Sequence, residues 1–219
     1  MNTRPLILAS LLVAAALAAF GLWAAGQLPP GSQLPTHWNM AGEADDWMPA
    51  LQALMVAPAV LVFVTALFAL IPRLDPLQDR LEASAPLLAA SWWAMIGLAI
   101  FLQGFMAAPV FGIEPRSELI LVAVGGLFLI LGNMLPKSRP GFFVGIRTPW
   151  TITDTDNWIA THRLGGKSFM AGGVLMIVAG LAPMSPGLRA ASLIAAIAIS
   201  GLVPVAYSWW LWRQRRTVG

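Results

Sequence analysis

Long apolar stretches, separated by short polar segments, constrain this chain more than any other feature of its sequence. A helix rises 1.5 Å per residue, so about 20 residues are needed to cross roughly 30 Å of hydrocarbon. Six runs are close to that length: Leu6–Ala25, Leu51–Ile71, Leu87–Val110, Glu118–Leu135, Phe169–Met184 and Ala190–Trp212. Because backbone polar groups cannot face lipid unpaired, we predict an all-α integral membrane protein, a bundle of about six transmembrane helices.

The composition supports a membrane protein. Hydrophobic residues make up 58% of the chain and charged residues only 11%, against about 25% charged in soluble domains. The first apolar run is longer than the 7–15 residues typical of a signal peptide, so we expect it to remain as an uncleaved helix. Cysteine is absent, which excludes disulfides and thiol chemistry.

The distribution of Lys and Arg predicts the orientation. With six spans, both termini and the second and fourth loops share one side of the membrane. Of the 13 Lys and Arg residues, only Arg116 and Arg189 fall on the other side. Cytoplasmic loops carry the excess of Lys and Arg, so we predict that the N- and C-termini and the fourth loop are cytoplasmic. We interpret the basic face as a topology and lipid-headgroup signal, with no direct nucleic-acid contact.

The first external loop, Gln27–Ala50, contains no Lys or Arg, and its charges are Glu43, Asp45 and Asp46. Its prolines and glycines predict a turn-rich, ordered connector. His37 with the carboxylates is a weak metal pattern, and we favour a hydrogen-bonded loop that caps the bundle, with no metal or cofactor. Residues of this loop that are candidates for external sensing are His37, Trp38, Asn39, Asp46 and Trp47.

The fourth loop, Asn133–Lys167, is polar, basic and punctuated by glycine and proline. Pro136 and Pro140 should end the fourth helix. We predict a short interfacial helix from Asp154 to Leu164, with Thr153 as its N-cap. Gly165-Gly166 would end that helix before the fifth span. In it, Trp158 and His162 are four residues apart and share one face, and Arg163 lies in the last turn. The chain thus divides into a first helix with its external loop (1–50), helices two to four (51–132), the cytoplasmic loop (133–167), and helices five and six with a basic tail (168–219).

The fourth loop contains three motifs. The first is a turn made by Gly132, Asn133, Pro136 and Lys137. The second is formed by Phe143, Gly145, Ile146, Arg147, Thr148, Pro149, Trp150 and Thr151. The third comprises Trp158, Thr161, His162, Arg163, Gly165, Gly166 and Lys167. Together they resemble the signature of the SdpI family of bacterial immunity proteins, and the external run LPTHWNMAGEADDW is similar to a motif found in many proteins of this kind.

The resemblance implies a bacterial plasma-membrane protein that confers resistance to a secreted peptide toxin. It also implies that a small cytoplasmic repressor of the ArsR type is held at the membrane, with Arg73–Pro86 as a second contact segment. The candidate partner-binding residues are Arg147, Thr148, Trp150, Trp158, His162, Arg163 and Lys167. Two alternatives stay open: Arg147 and Arg163 as lipid anchors, and His162 as a packing residue against Trp158.

Other function classes fit the sequence less well. The chain has no HExxH, no phosphate-binding glycine loop and no nucleophile-elbow motif, so an enzyme is disfavoured. A transporter of a peptide or small molecule is the alternative, although the spans hold few ionisable or polar residues beyond Gln103. A purely structural membrane protein is the third possibility.

Overall fold

The computed structural model describes residues 2–39, 41–74, 78–141 and 143–217. Of residues 78–83 and 216–217 it describes the backbone, so the predicted contact segment Arg73–Pro86 lies partly outside the described residues. Helices dominate the fold: α1 (Arg4–Gln27), α2 (Ala50–Leu74), α3 (Gln78–Ala107), α4 (Glu118–Met134), α5 (Pro149–Thr153), α6 (Thr155–Leu181) and α7 (Pro186–Thr217).

The predicted bundle of six spans is confirmed. Every long helix of the described chain is long and apolar enough to cross a membrane, and only the five-residue α5 is too short. Proline lies inside three of the spans, with Pro58 and Pro72 in α2, Pro86 in α3 and Pro204 in α7. Six crossings place both chain ends on one side, together with the segment between α4 and α6. We call this the loop face, and we retain its cytoplasmic assignment as a prediction from the charges.

The first three helices pack around small residues and one buried polar pair. The indole N–H of Trp92 in α3 donates a hydrogen bond of 2.7 Å to the hydroxyl of Ser10 in α1. Both residues are fully buried, and Phe68 of α2 meets the same indole edge-on at 5.5 Å. These contacts hold the three helices together. Separating α1 from α3 would leave the buried indole N–H without an acceptor, which is energetically costly.

Glycines join α4 and α6 into an antiparallel seam. A Cβ on Gly125 would lie 2.7 Å from the carbonyl oxygen of Gly173, and a Cβ on Gly132 equally close to that of Gly166. Gly180 approaches the carbonyl of Glu118 in the same way. Both helices thus present a small backbone surface every seven residues, which permits the close approach typical of packed membrane helices.

The predicted interfacial helix was wrong as a separate element. Helix α6 begins at Thr155 and continues without a break to Leu181, so Gly165 and Gly166 do not end it and Arg163 is not in a last turn. The two glycines instead make room for neighbours. Gly166 faces Gly132 and Pro136, and Gly165 contacts the Ile146 side chain.

The external connector forms a β-hairpin, which the sequence analysis missed. Strands β1 (Gln33–Trp38) and β2 (Ala44–Pro49) pair antiparallel, with an irregularity in register around His37. The hairpin lies on the side of the bundle opposite to the loop face. We call that side the hairpin face.

Candidate functional site

The segment that precedes α5 folds across α6 and is fastened to it at His162. The backbone N–H of Ile146 donates a 2.8 Å hydrogen bond to Nε2 of His162, so that nitrogen carries no proton. Nδ1 then donates to the carbonyl oxygen of Trp158 at 2.8 Å, one turn earlier in the helix. His162 is 1% exposed, and both ring nitrogens are therefore already used inside the protein.

Aromatic stacking adds to these hydrogen bonds. We call the contact of Ile146 with His162 and Trp158 the latch. The rings of Trp158 and His162 lie parallel within 17°, with their centroids 4.1 Å apart. The prediction that they share one face of a helix is confirmed. Gly145 crosses the edge of the stack with φ of 116°, where a Cβ would lie 2.5 Å from Nε2 of His162. A positive φ and this close approach both call for glycine at that position.

Threonines shape the turn into α5. Thr148 is the N-cap of α5, and it exchanges hydrogen bonds with Thr151 in a capping box. The Thr151 hydroxyl also donates to the Ile146 carbonyl at 2.9 Å, which closes the turn. The hydroxyl of Thr148 lies 3.1 Å from that of Ser208 in α7. The segment is thus tied to two membrane helices.

The start of α6 is capped by Asp154, not by Thr153 as predicted. One carboxylate oxygen of Asp154 accepts from the backbone N–H groups of Asp156 and Asn157. The other is paired with Arg215 near the end of α7, and Arg215 also reaches Asp156 at 3.4 Å. A carboxylate satisfies the free N–H groups better than a threonine hydroxyl, because it carries charge at the positive end of the helix.

The seven predicted partner-binding residues separate into two groups. Thr148, Trp158 and His162 are buried and lie beneath the accessible surface, and their part in partner binding stays a prediction. They are scaffold, because their polar groups or rings are turned inward by the capping box and the latch. Sequence reasoning had kept packing open as an alternative for His162, and the structure supports it.

The other predicted residues on the loop face remain accessible. Arg147, Arg163 and Lys167 are exposed. Trp150 is half-buried against Trp212, with ring centroids 5.8 Å apart. Arg163 and Lys167 are four residues apart on α6 and therefore share one side of the helix. A basic patch with an aromatic neighbour can receive an acidic surface or lipid phosphates.

Two of the five sensing candidates support the hairpin. Oδ1 of Asn39 accepts from the N–H groups of Ala41 and Glu43, which closes the turn between the strands. Trp38 packs edge-on against Phe105 of α3 at 5.4 Å. The hydroxyl of Ser117, just before α4, donates to the Gly42 carbonyl at 3.0 Å. The hairpin is therefore held against the ends of α3 and α4.

The other three sensing candidates face outward. His37 is exposed, and its Nδ1 lies 2.6 Å from a carboxylate oxygen of Asp45. Asp46 and Trp47 on β2 are exposed as well. Among the described residues, no group of three or more His, Asp or Glu side chains is arranged to hold a metal ion. This exposed surface is suited to contact with a partner in solution or at the headgroup level.

Residues outside the predicted set also build the loop face. Asn157 donates from its side chain to the Ser208 carbonyl at 2.9 Å and accepts from the Thr161 hydroxyl. Both Asn157 and Thr161 are buried polar residues on α6. Their four-residue spacing was visible in the sequence, whereas their partner in α7, more than 45 residues later, was not.

Comparison with known proteins gives two matched regions. Residues 137–208 match the SdpI/YfhL protein family, and residues 11–62 match a domain of unknown function, DUF1648. The first region contains the folded loop, α5, α6 and most of α7. The second contains most of α1, the hairpin and the first half of α2. No solved structure matches the chain.

One curated relative is the immunity protein SdpI of Bacillus subtilis strain 168. It is 32% identical over 68 residues, which are 31% of this chain and 33% of the relative. The chain therefore matches about a third of that protein's length. Together with the six long apolar helices, these matches show a multi-pass protein of the bacterial plasma membrane whose residues 137–208 are similar to the SdpI/YfhL protein family.

Proposed function

We propose that this chain is a membrane immunity protein that protects a bacterium from a secreted antimicrobial peptide. The observation that carries the proposal is the position of the family match. Residues 137–208 coincide with one packed unit, in which the loop is latched to α6 and capped against α7. The family likeness thus extends over a structural unit, and the immunity protein SdpI is 32% identical to this chain over 68 residues.

The hairpin face is the proposed side of contact with the peptide. Residues 27–50 contain no Lys or Arg, whereas Glu43, Asp45 and Asp46 are exposed there. Antimicrobial peptides that act on bacterial membranes commonly combine positive charge with an apolar face. An acidic surface with an exposed indole, Trp47, offers complementary charge and an apolar contact.

The loop face is the proposed site of signalling to the cytoplasm. Arg147, Arg163 and Lys167, with Trp150 beside them, would hold a small repressor of the ArsR type while peptide is present. These residues are accessible and carry charge that an acidic partner surface would match. Thr148, Trp158 and His162 contribute by holding the segment in shape.

The proposed role needs no chemical reaction. In the folded loop and the first turns of α6, the acid–base candidates are His162, Asp154 and Asp156, and each has a structural contact there. His162 uses both ring nitrogens in the latch, Asp154 caps α6, and both Asp154 and Asp156 pair with Arg215. Transport is the alternative function. The described spans show no charged pathway for a substrate, and measurement of flux into reconstituted vesicles would test this alternative.

Deletion of the gene in its host tests the immunity proposal. We expect deletion cells exposed to the culture fluid of the parent strain to lose membrane potential and viability, and a plasmid copy to restore both. A deletion strain that keeps its potential and survives as well as the parent would contradict the proposal.

Membrane recruitment tests the signalling proposal separately. A fluorescent fusion of a host ArsR-type repressor should move to the membrane when peptide is added. An Arg163→Ala, Lys167→Ala variant should reduce that recruitment several-fold. Arg213→Ala, which removes an exposed cation on α7 near the same face, is the matched control. Equal recruitment in all three proteins would show that these cations do not hold the repressor.

A further inference from the structure

A large apolar cavity lies between α2 and α3, directly beneath the hairpin. Its volume is about 670 Å³, within the roughly 300–1,000 Å³ typical of sites for small ligands. Val56 and Val60 of α2 form one wall, and Met95 and Leu102 of α3 form the other. Trp38 of the hairpin covers one end. The cavity lies in the N-terminal half, outside the region matched to the SdpI/YfhL family.

Small side chains create this space. Ala53 and Ala57 of α2 and Ala99 of α3 line the cavity, and all three are buried. Larger residues at these positions would bring more side-chain volume between the helices. The cavity is partly open, since Val56 and Val60 are 45% and 47% exposed, and an apolar occupant would gain dispersion contacts with its walls.

Methionines line the cavity at three points. Met48 comes from β2, and Met95 and Met106 come from α3. Methionine is unbranched and polarizable, and it adapts to partners of varied shape. A lining of this kind suits an apolar segment whose side chains differ in size better than it suits one rigid small molecule.

The polar end of the cavity is formed by the hairpin, which carries negative charge. Thr36 and His37 are the polar residues of its lining, and both belong to the hairpin. His37 is paired with Asp45, and Asp46 and Glu43 are exposed on the same hairpin. With no Lys or Arg in residues 27–50, the hairpin repels the anionic phosphates of lipid headgroups and attracts cations.

We propose that this cavity binds the apolar side of a cationic amphipathic peptide, with the peptide's positive charges lying against Glu43 and Asp46. The inference rests on the proposed immunity function and deepens it by naming the site and the chemistry of the ligand. Peptide recognition then belongs to α2, α3 and the hairpin, whereas the proposed repressor contact belongs to the loop face.

Direct binding to the full-length protein tests the site. The protein is placed in nanodiscs of zwitterionic lipid, and the probe is a synthetic amphipathic helix of Lys and Leu with an environment-sensitive dye. Empty nanodiscs give the background. Val60→Trp and Ala99→Phe both add volume at the cavity, and we expect each to weaken binding about tenfold.

A matched control is available on the same helix. Val62 is 46% exposed and Val60 is 47% exposed, but Val62 does not line the cavity. Val62→Trp should therefore leave binding within about twofold of the wild type. Unchanged binding in both Val60→Trp and Ala99→Phe would overturn the proposed site.

The charge requirement is tested with a second pair of variants. The double change Glu43→Gln, Asp46→Asn should weaken binding several-fold at low salt, and the difference should shrink at 0.5 M salt. Glu114→Gln removes an exposed carboxylate from the α3–α4 connection and should have no such effect. Equal binding of a probe with Ser in place of Lys would show a site for lipid chains or neutral apolar molecules and would overturn the proposal.

The two proposals fail in different ways. If a deletion strain dies but the cavity variants bind the probe as well as the wild type does, the immunity function is supported and the proposed site is wrong. If the cavity variants abolish probe binding but the deletion strain survives, the site stands and the immunity function is wrong.

Discussion

At position 162 a histidine occupies a buried place in a helix that crosses the membrane, and every polar atom of its ring has a partner. Trp158 supplies a stacking surface and a carbonyl acceptor, and Ile146 supplies a backbone donor. The contact with Trp158 was predictable, because residues four apart on a helix are neighbours. The contact with Ile146 was not, because it depends on how the preceding segment crosses α6.

Removing the imidazole should destabilise the loop face without altering its charge. In His162→Ala the partly buried N–H of Ile146 loses its acceptor, and the loss should be at the lower end of the about 1–3 kcal/mol that an unsatisfied buried donor costs. Limited proteolysis between α4 and α5 and thermal unfolding in detergent would both report the loss. The neighbouring exposed change Arg163→Ala should stay within about 0.5 kcal/mol of the wild type. Equal stability of the two variants would show that the latch is not a stabilising contact.

Gly145 should tolerate no side chain. Gly145→Ala combines a strained positive φ with a Cβ 2.5 Å from His162 Nε2, and backbone strain alone costs about 1–3 kcal/mol. Gly141→Ala in the same segment meets its nearest atom at 3.6 Å and is the control. We expect a lower unfolding temperature for the first variant only. A comparable fall in the unfolding temperature of both variants would show that the latch is not the cause of the destabilisation.

At the scale of elements, the six spans were predictable because lipid demands length and apolarity. The end of α6 was not, because Gly165-Gly166 is a common stop signal that here serves close packing. Glycines seven apart, at 166, 173 and 180, matched by 125 and 132 in α4, are the signal that could have indicated a continuous helix. The hairpin had a signal as well, since Asn39 and Gly42 lie between two runs containing tryptophan. Its prolines obscured the strands, although edge strands tolerate proline.

Two adjacent glycines in α4, Gly125 and Gly126, distinguish the effect of close packing against α6 from the effect of alanine on the helix itself. Gly125→Ala would place a methyl group 2.7 Å from the Gly173 carbonyl oxygen, and overpacking typically costs about 1–3 kcal/mol. Gly126→Ala meets nothing within 4 Å and should be neutral or slightly stabilising. Thermal unfolding of the purified variants measures the difference. A loss of stability in Gly126→Ala as large as that in Gly125→Ala would argue against the seam.

At the scale of the whole molecule, two polar contacts join the first three helices and their hairpin to the C-terminal half. On the hairpin face, Ser117 binds the Gly42 carbonyl. On the loop face, the hydroxyl of Ser84 in α3 donates to the Arg139 carbonyl and accepts from the Arg139 N–H. This arrangement separates an acidic surface over an apolar cavity from a basic surface at the opposite end. The distribution of charge in the sequence predicted this separation. The cavity was not predictable, because it depends on the packing of α2 and α3.

Membrane potential in complemented deletion cells tests the central claim, that the hairpin face meets the peptide. Cells carrying the wild type, a Glu43→Gln, Asp46→Asn variant, or an Arg147→Ala, Arg163→Ala, Lys167→Ala variant are exposed to the parent's secreted peptides, with membrane insertion of each protein checked. We predict that the hairpin variant loses most of its protection, while the loop-face variant keeps its potential and loses only repressor recruitment. Full protection by the hairpin variant, with loss of potential in cells carrying the loop-face variant, would contradict the account.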